Sequence, residues 1–261
     1  MDVPDIGIGT WQNTDPEVCA ESVETALELG YRHVDTAQAY GNEEAVGDGL
    51  ARSSVDRDDV YLATKVWTSN LAPDDVVPSA RESLDRLGVD RVDLLYVHWP
   101  AGGYDAEDTL AEFERLRDMG LVDDVGVSNF TPEHLDEAVE HADVDVHQFE
   151  FHPLLQQHDL VSYSRELGMD VVGYSPLARG DVFELDEVSE VAERQGVSPA
   201  RVVLAWSLEV GVKPIPKASS RGHIEDNLGA LDVDLDDGDL ELLEGADERR
   251  RLIDPEFAPD W

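Results

Sequence analysis

The chain has 261 residues, 41% of them hydrophobic and without an abrupt change of composition, which suits one large core and the roughly 250 residues of a single α/β barrel. Its 59 acidic residues against 19 basic ones give a formal net charge of -40, which argues against nucleic acid or an anionic membrane as partners. The lone cysteine, Cys19, rules out an internal disulfide, a thiolate zinc cluster and a redox CxxC pair, and no run approaches the ~18 apolar residues of a membrane span.

The opening segment MDVPDIGIGTWQ has no basic stretch leading into an apolar one, so a cytoplasmic protein is expected. Ile6 to Gly9 form the first candidate strand. DPEVCAESVETALELG then reads as a helix, with Asp15 as its N-cap, Pro16 at its first position and Gly30 past its end. Further apolar, β-branched runs follow at His33 to Thr36, Tyr61 to Val66, Val92 to Trp99, Val125 to Ser128, Val146 to Phe149, Val171 to Tyr174 and Val212 to Pro216. Helical stretches such as DDVVPSARESLDRLG, TPEHLDEAVEHA and HDLVSYSRELG separate them. Eight strand and helix alternations favour a closed (β/α)8 barrel, one domain over residues 1–261, above an open doubly wound sheet. No GxGxxG opens the first unit, which weakens a dinucleotide-binding sheet of the doubly wound kind. After the eighth unit come DDGDLELLEGAD and the tail from about residue 247, RRRLIDPEFAPDW at its end. Phe257 and Trp261 either fold over the mouth or belong to a disordered terminus.

Asp and Glu are spread along helical stretches such as AEDTLAEFERLRD and VSEVAERQG, so they read as solvated faces of a folded protein. Repulsion among them fades at molar salt, where the Debye length is about 3 Å, and a salt-rich interior is expected. Lys65, Lys213 and Lys217 are the only lysines. A lysine that survives in such a chain has a raised prior for a specific task.

In a (β/α)8 barrel the chemistry sits at the C-terminal ends of the strands. The polar residues there are Asp35, Lys65, His98, Ser128, Asn129, Gln148 and Lys217. Taken singly, each has an ordinary explanation: Asp35 a loop cap, nearby Tyr40 packing, Lys65 a stem reaching to water, His98 a satisfied core histidine. Taken together they form a set. A lysine buried in a barrel mouth needs a counter-charge, and Asp35 on the neighbouring strand can supply it. A tyrosine beside that ammonium should have its pKa lowered from about 10 toward the working range of a general acid. His98 is then suited to orient a carbonyl oxygen. Trp11, Trp67 and Trp99 follow strands one, three and four, and would line the mouth as a substrate surface. Trp206, on a helix, reads as core. No carboxylate and histidine set has metal-ligand spacing, so no metal is expected.

The runs GYRHVDTAQAYGNEEAVG (residues 30–47), TKVW (64–67), VDLLYVHWP (92–100), GVSNF (126–130), GYSPL (173–177) and IPKASS (215–220) resemble the signatures of the aldo-keto reductase family, in order and over almost the whole chain. The resemblance implies that Tyr40 is the proton donor, that Lys65 and Asp35 tune it, that His98 orients the substrate, and that hydride comes from the nicotinamide C4. It implies further that Ser128, Asn129 and Gln148 hold the carboxamide, with Tyr174 stacked on the nicotinamide. The Ser175 to Gly180 loop, including Leu177 and Arg179, would wrap the pyrophosphate. Lys217, Ser219, His223, Asp226 and Asn227 would hold the adenosine end. The expected cofactor is NADP(H), with NAD(H) as the alternative, because Ala218 and His223 stand where the common pattern has serine and arginine. His147 likewise replaces a frequent asparagine, and no function attaches to it. The short segment before strand one implies that the hairpin often closing the barrel bottom in this family is shortened or missing.

The expected function is therefore reduction of a small aldehyde or ketone, such as an aldose, a keto-sugar acid or methylglyoxal, by a monomeric enzyme. A barrel that binds NADP(H) as a sensor or scaffold without turnover is the alternative, and an unrelated phosphate-binding barrel is a third. Retention of Asp35, Tyr40, Lys65 and His98 favours the enzyme over the former. The absence of a Gly-rich loop after strands seven and eight counts against the latter.

Overall fold

The computed structural model describes residues 2–246 and 248–261, so the first residue of the expected tail, Asp247, lies outside the described residues. Eight parallel strands follow one another around the sheet: β1 Ile8–Gly9, β2 His33–Asp35, β3 Tyr61–Val66, β4 Val92–Val97, β5 Val122–Ser128, β6 Val146–Glu150, β7 Asp170–Tyr174 and β8 Lys213–Pro214. The ring closes where the Gly7 N–H donates to Pro214 O at 3.0 Å and the Gly9 N–H to Pro216 O at 3.1 Å. A Cβ at position 9 would lie 2.7 Å from the Ile215 carbonyl oxygen, so this seam requires glycine. The (β/α)8 barrel expected from the alternation of elements is present, and the strands differ from the sequence reading only at their ends.

Helices α1 Pro16–Leu29, α2 Glu43–Arg52, α3 Pro73–Leu87, α4 Ala106–Asp118, α5 Pro132–His141, α6 His158–Glu166, α7 Asp186–Gln195, α8 Pro199–Glu209, α9 Arg221–Leu228 and α10 Asp237–Glu244 complete the chain. Asp15 caps α1 by accepting from the Val18 N–H, and Gly30 ends it in the left-handed region at φ 116°. One layer of core lies between barrel and helices, where Leu62, Leu95, Val97 and Val127 cluster with Leu27, Leu84 and Phe113. Trp206 of α8 is fully buried and stacks on Phe151 at 5.0 Å between centroids.

The barrel interior is filled by Tyr61, Ala63, Leu94, Tyr96, Val146, Val172 and Ile215, with Val3 packed among them. Lys213 donates to Val3 O at 2.7 Å and pairs with Asp170 at 3.0 Å. The segment at Val3 is thus held against the barrel interior by Lys213. Strand periodicity then decides what faces the mouth, because alternate side chains share a side. Lys65 has the parity of Tyr61 and Ala63, His98 that of Leu94 and Tyr96, and Gln148 and Glu150 that of Val146.

Candidate active site

Two of these inward positions, His98 and Gln148, line a cavity of about 710 Å³ together with Asp35 and Tyr40, within the range of small-molecule sites. Lys65 and Asp35 form an ion pair with side chains 1% and 2% exposed. The Lys65 ammonium also donates to Thr36 O at 2.9 Å and to the Tyr40 hydroxyl at 3.4 Å. The second Asp35 oxygen accepts from Gln148 Nε2 at 2.8 Å. Every charge on the floor therefore has a partner, as burial demands. Tyr40 stands at the end of a single 3-10 turn, Gln38–Tyr40. Gln38 fixes that turn by accepting from the Trp67 N–H at 3.0 Å and donating to Ser79 O at 3.1 Å. His98 comes one residue after β4 and meets the Tyr40 ring edge-on at 5.8 Å.

The electrostatics correct one expectation. Burial, and then the Asp35 charge, push the Tyr40 phenol well above its usual pKa, whereas proximity to Lys65 alone predicts a fall. The physical reason is that Asp35 already balances the ammonium, so Tyr40 faces a nearly neutral pair across a low dielectric. Tyr40 consequently keeps its proton at neutral pH. Burial lowers the Lys65 pKa while Asp35 opposes that shift. Burial, reinforced by Lys65, holds the His98 imidazole well below its ordinary value, so the ring is neutral. Its Nδ1 is buried without a partner among the described residues, and the ring lines the cavity.

Trp11, Trp67 and Trp99 all line the cavity, as their positions after strands one, three and four suggest. Phe257 meets Trp67 and Trp99 edge-on at 5.7 and 5.6 Å, and Trp261 meets Trp99 at 6.2 Å. The described tail thus folds over the mouth, and its Leu252, Ile253, Asp254 and Pro255 complete the wall.

On the opposite side Asn129 stands at φ 64°. It donates to His98 O at 3.1 Å and Ser128 Oγ at 3.0 Å, and accepts from the Tyr174 hydroxyl at 2.8 Å. Asn129, Gln148, Tyr174 and Ser175 face the cavity, whereas buried Ser128 does not. The following loop has three non-glycine residues in the left-handed region, Ser175 at φ 51°, Ala178 at 43° and Arg179 at 56°. Such backbone strain gathers at ligand sites. The Arg179 guanidinium sits 4.9 Å above the Trp11 ring, while Leu177 is half-buried against the core. Lys217 lines the cavity, is exposed, and has no carboxylate partner among the described residues. Ser219 and His223 lie exposed beyond the cavity lining, and α9 begins at Arg221. Asp226 is held by Arg201 at 2.9 Å and Ser198 at 2.6 Å, and Asn227 is buried beside it in sequence. His147 is fully buried, 2.8 Å from Ser164 Oγ, with its pKa lowered to about 3 by burial; it packs in the interior.

Sequence reasoning missed Gln38, Glu150 and Arg251. Glu150 was detectable in principle, as an acid two residues beyond Gln148 on the inward side of β6, but its partners are 102 and 103 residues further on.

The sequence pattern of the Aldo/keto reductase family matches residues 5–248. The chain belongs to the aldo/keto reductase family. Among family members it is 40% identical to an aldo-keto reductase of Mycobacterium sp. (strain JLS), over 96% of this chain and 91% of that one. It is 36% identical to methylglyoxal reductase DkgB of Escherichia coli O157:H7 over the full length of both. A crystal structure described as a putative 2,5-diketo-D-gluconic acid reductase B superposes with a TM-score of 0.94 at 33% identity, covering 99% of this chain and 94% of that one. The aldose reductase of Schistosoma japonicum superposes with a TM-score of 0.92 at 30% identity, over 97% and 91%. No described helix of this family member is long and apolar enough to cross a membrane.

Proposed function

We propose that this aldo/keto reductase converts a small aldehyde or ketone to the alcohol at the expense of NADPH, as a monomer in a salt-rich cytoplasm. The observation that carries the reading is the buried Lys65–Asp35 pair with Tyr40 and His98 at the floor of one aromatic-walled cavity. A barrel used only for binding has no need of that costly charge pair beneath a protonated phenol. The short dicarbonyl and keto-sugar acid named for its relatives make such compounds the first substrates to test.

The residues on the cofactor side fit a nicotinamide dinucleotide. Asn129 and Gln148 offer amide groups at the cavity wall, with Ser128 behind them, and Tyr174 offers a ring face. The strained loop with Ser175, Leu177 and Arg179 suits the pyrophosphate. Lys217, Ser219 and His223 suit a 2′-phosphate, with Asp226 and Asn227 toward the adenosine. When bound, the reduced nicotinamide supplies hydride to the carbonyl carbon. The protein's part is to orient the carbonyl oxygen between the neutral His98 ring and the Tyr40 hydroxyl. Tyr40 donates its proton to the developing alkoxide, and the phenolate left behind is stabilised by the Lys65 ammonium. Trp11, Trp67, Trp99 and Phe257 keep water from the reacting carbon.

The test is a panel of carbonyls with NADPH and NADH in molar KCl, run beside Tyr40→Phe. The wild type should turn over at least one carbonyl, and the variant should lose about 10²-fold or more in kcat while still binding NADPH. A variant retaining more than about a tenth of kcat removes Tyr40 from the role of general acid.

A further inference from the structure

Glu150 is fully buried at the end of β6, in the mouth of the barrel but off the reacting floor. Its Oε1 accepts from the Leu252 N–H at 2.7 Å and lies 2.8 Å from His152 Nε2, and its Oε2 accepts from the Ile253 N–H at 2.9 Å. Two successive backbone N–H groups closing on one carboxylate form a small anion cradle. The segment that supplies them is the cavity wall: Leu252, Ile253, Asp254, Pro255 and Phe257 follow directly from this grip. We infer that Glu150 is a positioning residue that fixes the C-terminal tail over the mouth and thereby sets the size of carbonyl compound admitted.

Other fastenings of the tail differ in kind. Arg250 pairs with Asp181 at 2.6 Å with both side chains over 40% exposed, and such pairs weaken as salt rises. Arg251 donates to Gln157 at 3.0 Å and lies 3.8 Å above the Trp261 ring, and Trp261 in turn donates to Asp254 at 3.1 Å. These contacts close the tail on itself and on α6. Glu150 is different because water and salt do not reach it, and because losing the tail would strip a carboxylate of two of its donors. The register of Phe257 against Trp67 and Trp99 thus depends on an acid two strands from Trp99 and three from Trp67 in the strand order.

This inference rests on the proposed reductase activity for its kinetic arm only. Hydrogen exchange on the wild-type enzyme reads the grip without turnover: the Leu252 and Ile253 amides should be protected by about 10²-fold or more over a free peptide. In Glu150→Gln the amide presents an NH2 group to one of the two N–H donors, and protection at one of them should fall about tenfold or more. With methylglyoxal and benzaldehyde as probes, this variant should raise KM for benzaldehyde about tenfold while kcat for methylglyoxal stays within about twofold. Phe257→Ala should reproduce the benzaldehyde effect with both amides still protected, which keeps the inference testable if Glu150→Gln does not fold. Unprotected amides in the wild type overturn it, as does a Glu150→Gln enzyme whose KM for benzaldehyde is unchanged or whose kcat falls equally for both substrates. An enzyme that turns over no carbonyl of the panel, with both amides protected, defeats the reductase reading and leaves the grip standing.

Discussion

Lys65 and Asp35 on the floor of the mouth have side chains 1% and 2% exposed, whereas Arg52 and Glu17 on the outer helices form a pair of like chemistry with 37% and 64% exposed. The same attraction has different consequences in the two places. On the floor the charges have left water, so removing one strands the other at high cost. On the surface such a pair contributes little and is screened by salt. What governs the surface is its sum, a net charge of -40, and that sum opposes folding in dilute buffer. The molecule therefore separates a buried charge pair at the cavity floor, which salt does not reach, from the screened charge of its surface.

The most severe way to break this contrast is Lys65→Met. Asp35 then stays buried with Gln148 as its remaining partner, and a stability loss of about 3–5 kcal/mol should accompany loss of reduction. Denaturant unfolding in molar KCl measures it, and a stable, active variant would sink the role assigned to the pair. Arg52→Met, by contrast, should leave the denaturation midpoint nearly unchanged.

The surface side is tested by salt. The melting temperature should climb by about 10 °C or more between dilute buffer and molar KCl, several kcal/mol at roughly 2–4 °C for each. A flat dependence would show that the acidic surface does not limit folding.

Titration sharpens the contrast through His33, whose two ring nitrogens are buried without partners among the described residues. Burial lowers its pKa to about 4 from an unfolded value of 6.5. The unfolded chain binds the proton first, so the stability tied to neutral His33 is complete above pH 6.5 and drains away as pH falls toward about 4. The full loss is about 3 kcal/mol, and buried His147, with its pKa lowered to about 3, adds to the slope in the same direction. Unfolding free energies from pH 7 down to about 4.5 should decline less in His33→Leu than in the wild type; equal slopes would discount His33.

The smallest effect expected is at Lys217, an exposed cation at the cavity edge. Lys217→Met should reduce kcat/KM for NADPH about tenfold and leave NADH nearly unchanged, since a histidine stands at position 223 where arginine, the better phosphate binder, is common. Equal use of both cofactors by the wild type would remove the proposed preference.

Much of this was legible in the chain. The eight alternations of strand and helix, the cap and stop of α1, and the inward parity of Lys65, His98 and Gln148 all come from local pattern, because residue periodicity fixes which side of a strand faces in. The tail was legible only as a pair of aromatics, Phe257 and Trp261, with two alternatives open. The direction of the Tyr40 shift was read wrongly, because a sequence shows which charges are near but not how far water has been removed from them.

By itself, then, the sequence determined the barrel, the position of its mouth and the residue types gathered there, since each follows from short-range periodicity and from the charge composition. Only the tertiary structure decided that Asp35 shares its carboxylate between Lys65 and Gln148, that Tyr40 retains its proton, and that Glu150 grips Leu252 and Ile253. Those three facts depend on burial and on hydrogen bonds between residues up to 113 positions apart, and both quantities exist only once the ring of strands has closed.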